Sequence, residues 1–322
     1  MKNKKLDNIA EGINESLFDF ANQDEKDSER IGYSNYSYWK STCQVFLANR
    51  VATVLLVVVI SLVLFTIIQP YLPSQKSPLT IYNNPATGLQ FRNQAPDKEF
   101  WFGTNSIGQD LWARIWSGTR TSLFIGVVVG LWEAIAGILV GALWGYVRKL
   151  DTIITAIYNV LDNIPTTIIL VLLAYILRPS LSTLIIAMCA INWLGMARFV
   201  RNQIVIIRDR EYNLASRCLG TPTHRIITKN LLPYLVSVIM LRMALAIPSA
   251  IGSEVFLTYI GLGLPLDIPS LGNLINEGRV IMMIPALRYQ LIFPVVVLSI
   301  ITISFYVMGN VFADAADPRN HV

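Results

Sequence analysis

The sequence predicts an all-α integral membrane protein with about six transmembrane helices, on three observations. Apolar runs of about 18 residues or more recur along the chain, each long enough to cross a hydrocarbon core at about 1.5 Å per residue. Of the 322 residues, 53% are hydrophobic and 15% charged, with a mean hydropathy of +0.50. Soluble domains carry roughly a quarter charged residues, so this balance points to lipid as solvent. Finally, the basic residues crowd into connections that would share one side of a bilayer. The net charge of +5 is small, and placement matters more than total.

Taken in order, residues 1–50 are expected to be a cytoplasmic tail. Its stretch 19–30 is mixed in charge. Tyr33, Tyr36, Tyr38 and Trp39 suit a segment at headgroup level, with a flexible tether as the alternative. The first apolar run, 51–69, lies too far from Met1 for a cleavable leader and is expected to be a retained span. An extracellular loop, 70–117, separates it from further runs at 121–146, 153–177, 181–199, 232–260 and 289–312. Arg178-Pro179-Ser180 makes a tight hairpin between the third and fourth. Pro265, Asp267, Pro269, Asn273, Glu277 and Arg279 interrupt 262–288, which is expected to be an external loop. The domain expectation is therefore a core of five spans over 118–313, holding a cytoplasmic loop at 200–231, and a cytoplasmic end at 314–322.

Sidedness follows from the basic residues. Lys2, Lys4, Lys5, Lys40 and Arg50 precede span one; Arg148 and Lys149 follow span two; Arg198, Arg201, Arg208, Arg210, Arg217, Arg225 and Lys229 follow span four. The positive-inside rule makes that side the cytoplasm, with both termini there. Cys43, Cys189 and Cys218 are odd in number and widely spaced, and His224 and His321 lie far apart, so neither a disulfide framework nor a metal site is expected. No cofactor is expected. There is no Gly-x-x-x-x-Gly-Lys-Ser/Thr loop and no catalytic constellation, so the chain reads as a non-enzyme, and any ATP hydrolysis would belong to another polypeptide.

The cytoplasmic loop carries the most information. Residues 210–220 read as a short helix that ends at Gly220, where φ > 0 suits glycine. Thr221 can cap a second helix with Pro222 at its first position. Tyr212, Ala215 and Leu219 give the first helix one apolar stripe, and Ala215 and Ser216 are small enough for another protein to approach closely.

This segment resembles the "EAA" coupling loop of permease subunits in bacterial ABC importers. Gly220 matches the family glycine and Ala215-Ser216 stand where two alanines are usual; Leu214 occupies the usual acidic position, with Glu211 one turn earlier. The blocks Phe100–Asp110 with Arg114, Gly118 and Arg120, Glu254 with Gly261–Pro265 and Pro269–Leu274, and Asp314–Arg319 follow in family order. Asn105 and Gln109 replace a usual Asp and Arg. Together these blocks cover about Tyr38 to Arg319, and they resemble the C-type permease of oligopeptide, dipeptide and nickel importers, the Ami type most closely. The resemblance implies a type I ABC importer permease fold in a bacterial cell membrane. It also implies a second homologous permease, two ABC ATPase subunits, an extracellular peptide-binding lipoprotein and a peptide substrate. No nucleic acid is implied. By the same resemblance Glu211, Tyr212, Ala215, Ser216, Arg217, Leu219 and Gly220 would couple to the ATPase.

Charged groups inside spans are functional candidates by default. Glu133 and Glu254 are taken as translocation-path or gate residues, with Glu254 also able to shape the 262–288 loop. Asp162 and Arg242 are read as structural, and an Arg242–Glu254 pair is one arrangement that would bundle helices. Gly126, Gly130, Gly137, Gly141 and Gly145 suit close helix packing. Two alternatives stay open: a permease for nickel chelates or another small solute, and an ion-gradient secondary transporter. The latter predicts inverted repeats, and none is visible.

Overall fold

The computed structural model describes residues 38–177 and 180–316. The chain divides into two units at residues 41/42, and the functional elements lie in the second. The mixed-charge tail, Tyr33 and Tyr36, Arg178-Pro179 and residues 317–322 lie outside the described residues.

Eleven α-helices are assigned among the described residues: α1 Tyr38–Ala48, α2 Arg50–Ile68, α3 Leu111–Tyr146, α4 Arg148–Asp162, α5 Thr166–Ile176, α6 Leu181–Ile207, α7 Glu211–Cys218, α8 Thr223–Ile226, α9 Val236–Tyr259, α10 Leu271–Ile281 and α11 Tyr289–Ala316. Their ends carry the expected chemistry. The Asn49 side chain accepts from the amides of Val51 and Ala52, both at 3.1 Å, to start α2. Asp110 accepts from Ala113 N at 2.9 Å to start α3, and Ser180 and Thr183 form a capping box on α6.

Five helical segments are long and apolar enough to cross a membrane, and a bent pair makes a sixth candidate. That pair corrects one expectation. The run 153–177 is two helices, α4 and α5, meeting at 77°. Pro165 has no amide hydrogen and disfavours helical backbone at Ile164, so the helix stops there although the sequence stays apolar. Arg201 to Asp151 (2.7 Å) and Arg198 to Asp162 (2.7 Å) hold α4 against α6.

Three further corrections concern boundaries. α3 starts at Leu111, so the boundary expected at 117/118 falls inside a helix of 36 residues. The 262–288 stretch contains α10, whose Leu271, Gly272, Asn273, Leu274 and Gly278 are buried. Polar residues suggested a loop there, but Glu277 pairs with Arg114 and the Asn273 amide group is bonded to nearby backbone. Asn273 Nδ2 donates to the carbonyls of Leu264, Pro265 and Ile268 at 3.3, 3.0 and 2.9 Å. The end at 314–322 begins inside α11, which runs to Ala316.

α3 is the axis of the core. Gly137, Gly141 and Gly145 lie against Met196, Ala197, Val200 and Ile204 of α6, while Gly126 and Gly130 lie against Ile247 of α9. A Cβ on Gly126 would meet Ile247 and Ile251 at 3.0 Å, so the glycine series is a packing device. Between α8 and α9 the chain passes through a widened turn, Ile227–Leu231, closed by Leu232 N to Ile227 O at 2.9 Å. It immediately precedes Pro233, which has no N–H to donate.

Candidate functional site

Among the described residues, the hairpin α7–α8 beyond the end of α6 and a polar cleft at the α4–α5 break are candidate sites.

An eight-residue helix is marginal alone, so α7 needs external support. Its buried residue is Asn213, fully enclosed, whose Nδ2 donates to Ile207 O at 2.9 Å and so satisfies a carbonyl at the end of α6. Asn230, in the widened turn, donates to Asn213 Oδ1 at 3.2 Å and to Ser216 Oγ at 3.3 Å. Arg217 turns back to the bundle. It reaches Tyr146 Oη (3.2 Å), Arg208 O (3.1 Å) and Asp209 (3.4 Å), with its guanidinium 4.9 Å from the Tyr146 ring. Asp209 also pairs with Arg148 at 3.6 Å and Arg208 at 3.3 Å, and Arg208 donates to Gly145 O at 2.6 Å. One face of α7 is thus fastened to α3, to the end of α6 and to the turn before Pro233.

The other face is bare. Glu211, Tyr212, Leu214, Ala215, Leu219 and Gly220 are exposed, Leu219 by 86% and Tyr212 by 48%. The corner is a Schellman ending. Thr221 N donates to Ser216 O at 3.1 Å, Gly220 N donates to Arg217 O at 2.9 Å, and Gly220 has φ +75°. The second helix starts one residue later than expected. Pro222 is its N-cap, and Thr221 serves the end of α7 instead. The expected stripe of Tyr212, Ala215 and Leu219 is exposed, and Leu214 adds to it. Asn213 and Asn230 were not foreseen, because an Asn inside a helix has no sequence signature of an anchor.

The cleft, of about 460 Å³, is lined by Glu133 of α3, Tyr158 and Asp162 of α4, Asn192 of α6, and Ser249 and Ser253 of α9, with the broken backbone at Ile164–Thr167 forming one wall. Irregular backbone at membrane depth is tolerated where it lines a cavity. Asp162 is engaged by Arg198 and by Tyr158 Oη at 2.8 Å. Glu133 is half-buried and, among the described residues, has no ion-pair partner within 4.0 Å. Arg242 acts on it electrostatically, with its own guanidinium 4.6 Å from the Phe199 ring.

Glu254 lies elsewhere. It is fully buried and accepts from Ser270 Oγ (2.8 Å), Thr258 Oγ1 (3.2 Å) and Ser122 Oγ (3.3 Å), and Ser122 Oγ accepts from Leu271 N at 3.0 Å. The carboxylate sits at the N-terminus of α10, where an anion is favoured. The structure does not bring Glu133 and Glu254 together, and the imagined Arg242–Glu254 pair is absent among the described residues. Arg114, buried at the start of α3, bonds Glu277 of α10 at 2.6 Å and also bonds Gln109. Asn105 bonds Gln109 at 3.1 Å, so the two departures from the family pattern sit in one neutral contact.

Comparison with known proteins gives concordant results. Residues 137–322 match the family model for the binding-protein-dependent transport system inner membrane component, and residues 37–96 match that for the N-terminal TM domain of oligopeptide transport permease C. The chain is 37% identical over 311 residues to the oligopeptide transport system permease protein AmiD of Streptococcus pneumoniae, covering 96% of this chain and 99% of that one. It is 33% identical to the oligopeptide transport system permease protein OppC of Bacillus subtilis, covering 96% and 99% of the two chains. It is also 33% identical to the dipeptide transport system permease protein DppC of Bacillus subtilis, covering 91% and 90%. Among solved structures, a chain of the inward-facing MetNI methionine ABC transporter matches with a TM-score of 0.51 at 22% identity, covering 64% of this chain and 96% of that one, a likeness of fold.

Proposed function

We propose that the chain, which belongs to the family of binding-protein-dependent transport system inner membrane components, is a permease subunit of an ATP-driven importer for oligopeptides or dipeptides. With a second, homologous permease it forms the translocation path. Two separate ATPase subunits drive the path, and an extracellular peptide-binding lipoprotein delivers the peptide. By the positive-inside rule, the basic residues at the α7–α8 end support a cytoplasmic side for that end and for both termini, in a bacterial cell membrane.

The observation that carries the reading is the hairpin's two-faced construction. Coupling requires an element that another protein can grip and that passes displacement to the spans. α7 offers Tyr212, Leu214, Ala215 and Leu219 outward, while Asn213, Ser216 and Arg217 fasten it inward to α3, α6 and the turn leading into α9. When two ATPases close, α7 moves with one of them. Those tethers pull on the cytoplasmic ends of three spans, tipping the path from inward- to outward-facing. Glu211 is exposed in the first turn of α7 and Arg217 lies in its last, each at the helix end its charge favours. Glu133 belongs to the path in this reading, and Glu254 holds α10 in place on the external side, where it shapes the outer gate.

Uptake of a labelled oligopeptide in cells deleted for the gene and then restored tests the assignment. Loss followed by recovery is expected, with recovery abolished by Gly220→Val. A β-branched residue at φ +75° opposes the left-handed corner at about 1–2 kcal/mol, although no neighbour lies within 4 Å of where its Cβ would sit. Unchanged peptide uptake on deletion would contradict the substrate assignment.

A further inference from the structure

The cleft at the α4–α5 break has the makings of a ligand site rather than a packing defect. Its volume of about 460 Å³ falls within the range of small-molecule pockets, and its polar groups converge from four helices. Two carboxylates face it, and they differ in state. Asp162 is neutralised by Arg198 at 2.7 Å and bonded by Tyr158 at 2.8 Å. Glu133 has neither kind of partner among the described residues. Arg242, the cation acting on it, lies beyond ion-pair distance with its guanidinium over Phe199. A carboxylate at membrane depth without a contacting cation leaves a local negative potential, focused by apolar walls that include Ile169, Leu170, Ile191 and Leu194. Asn192, Ser249 and Ser253 add neutral polar groups around it. Ser253 Oγ is turned onto Ser249 O at 3.0 Å, so it leaves Glu133 unoccupied.

We infer that Glu133 and this cleft form a subsite for a positively charged group of the transported molecule, an amino-terminal ammonium or a basic side chain. The inference rests on the peptide-importer reading and names the part of the substrate recognised inside the membrane. Glu133 makes the contact, Asn192 and Ser249 accept or donate beside it, and the break at Ile164–Thr167 keeps the wall open enough to admit a ligand.

Charge-selective labelling tests this in the assembled transporter, with Cys43, Cys189 and Cys218 replaced by serine and Ser253→Cys or Asn192→Cys as the reporter. Trimethylammonioethyl and sulfonatoethyl methanethiosulfonate are compared, each rate normalised to that with free cysteine. The expected normalised preference for the cation is about tenfold or more. Glu133→Gln, which keeps size and hydrogen bonding, should reduce it to within about threefold of parity. Trilysine should slow labelling, and acetylated trialanine should not. Equal normalised rates with Glu133 present would overturn the subsite, as would failure of both reporters to label. If the preference and trilysine protection hold while deletion leaves peptide uptake unchanged, the subsite stands and the importer reading falls. If uptake depends on the gene but no preference appears, the subsite alone falls.

Discussion

Asn213 holds the hairpin in place through two side-chain hydrogen bonds that join three stretches of chain. It caps Ile207 at the end of α6 and receives Asn230 from the turn before Pro233, while its own backbone lies in α7. Asn213→Ala should remove one hydrogen bond from the Ile207 carbonyl, which keeps Arg210 N, and one from the Asn230 amide, which keeps Ser216 Oγ, at about 1–3 kcal/mol for the two. The expected outcome is faster amide exchange through α7 with the spans unchanged, and weaker coupling of ATP hydrolysis to uptake. Exchange at wild-type rates would show that the tether lies elsewhere. At this scale the sequence was half legible. Gly220 announced a left-handed corner, and the apolar spacing of Tyr212, Ala215 and Leu219 marked a surface. Nothing distinguished Asn213 from a solvated asparagine, and nothing showed that Arg217, expected among the coupling residues, turns back to the bundle, because their partners Ile207, Tyr146 and Asn230 are brought near only by the fold.

Helices were legible where length and hydropathy decide and illegible where a partner decides. α2, α6, α9 and α11 follow from apolar run length alone. The α4–α5 break does not, because apolar residues continue on both sides of Pro165 and a membrane helix often tolerates a proline. α10 was hidden for the opposite reason. Asn273 and Glu277 look like loop residues until Leu264, Pro265, Ile268 and Arg114 satisfy them. The α3–α6 seam was readable in the glycine spacing, and the geometry now ranks its members. A Cβ on Gly141 would press on Val200 Cβ at 2.8 Å and on the Ala197 backbone, whereas one on Gly252 would meet nothing within 4 Å. Gly141→Val should therefore destabilise by about 1–3 kcal/mol or more through overpacking, read as a lower thermal midpoint of the solubilised complex. Gly252→Ala should not lower it.

The second unit packs around α3, with its fastened but outward-facing hairpin at the basic end and the Glu254-anchored helix α10 in the stretch between α9 and α11. α7 is joined to α3 through Tyr146, to α6 through Ile207, and to the approach to α9 through Asn230. The bundle lines a cleft with Glu133 between these paths. The role proposed for the hairpin requires an ATPase to dock onto the bare face of α7. Leu219 isolates it well: at 86% exposure its side chain supports little of the chain's own packing, so a substitution there reports on a partner. The most direct measurement is co-purification of the ATPase subunits with the Leu219→Asp chain. The second permease should be retained while the ATPase is largely lost, with peptide uptake falling in parallel. Retention of both ATPases at wild-type stoichiometry, with uptake intact, would contradict that role.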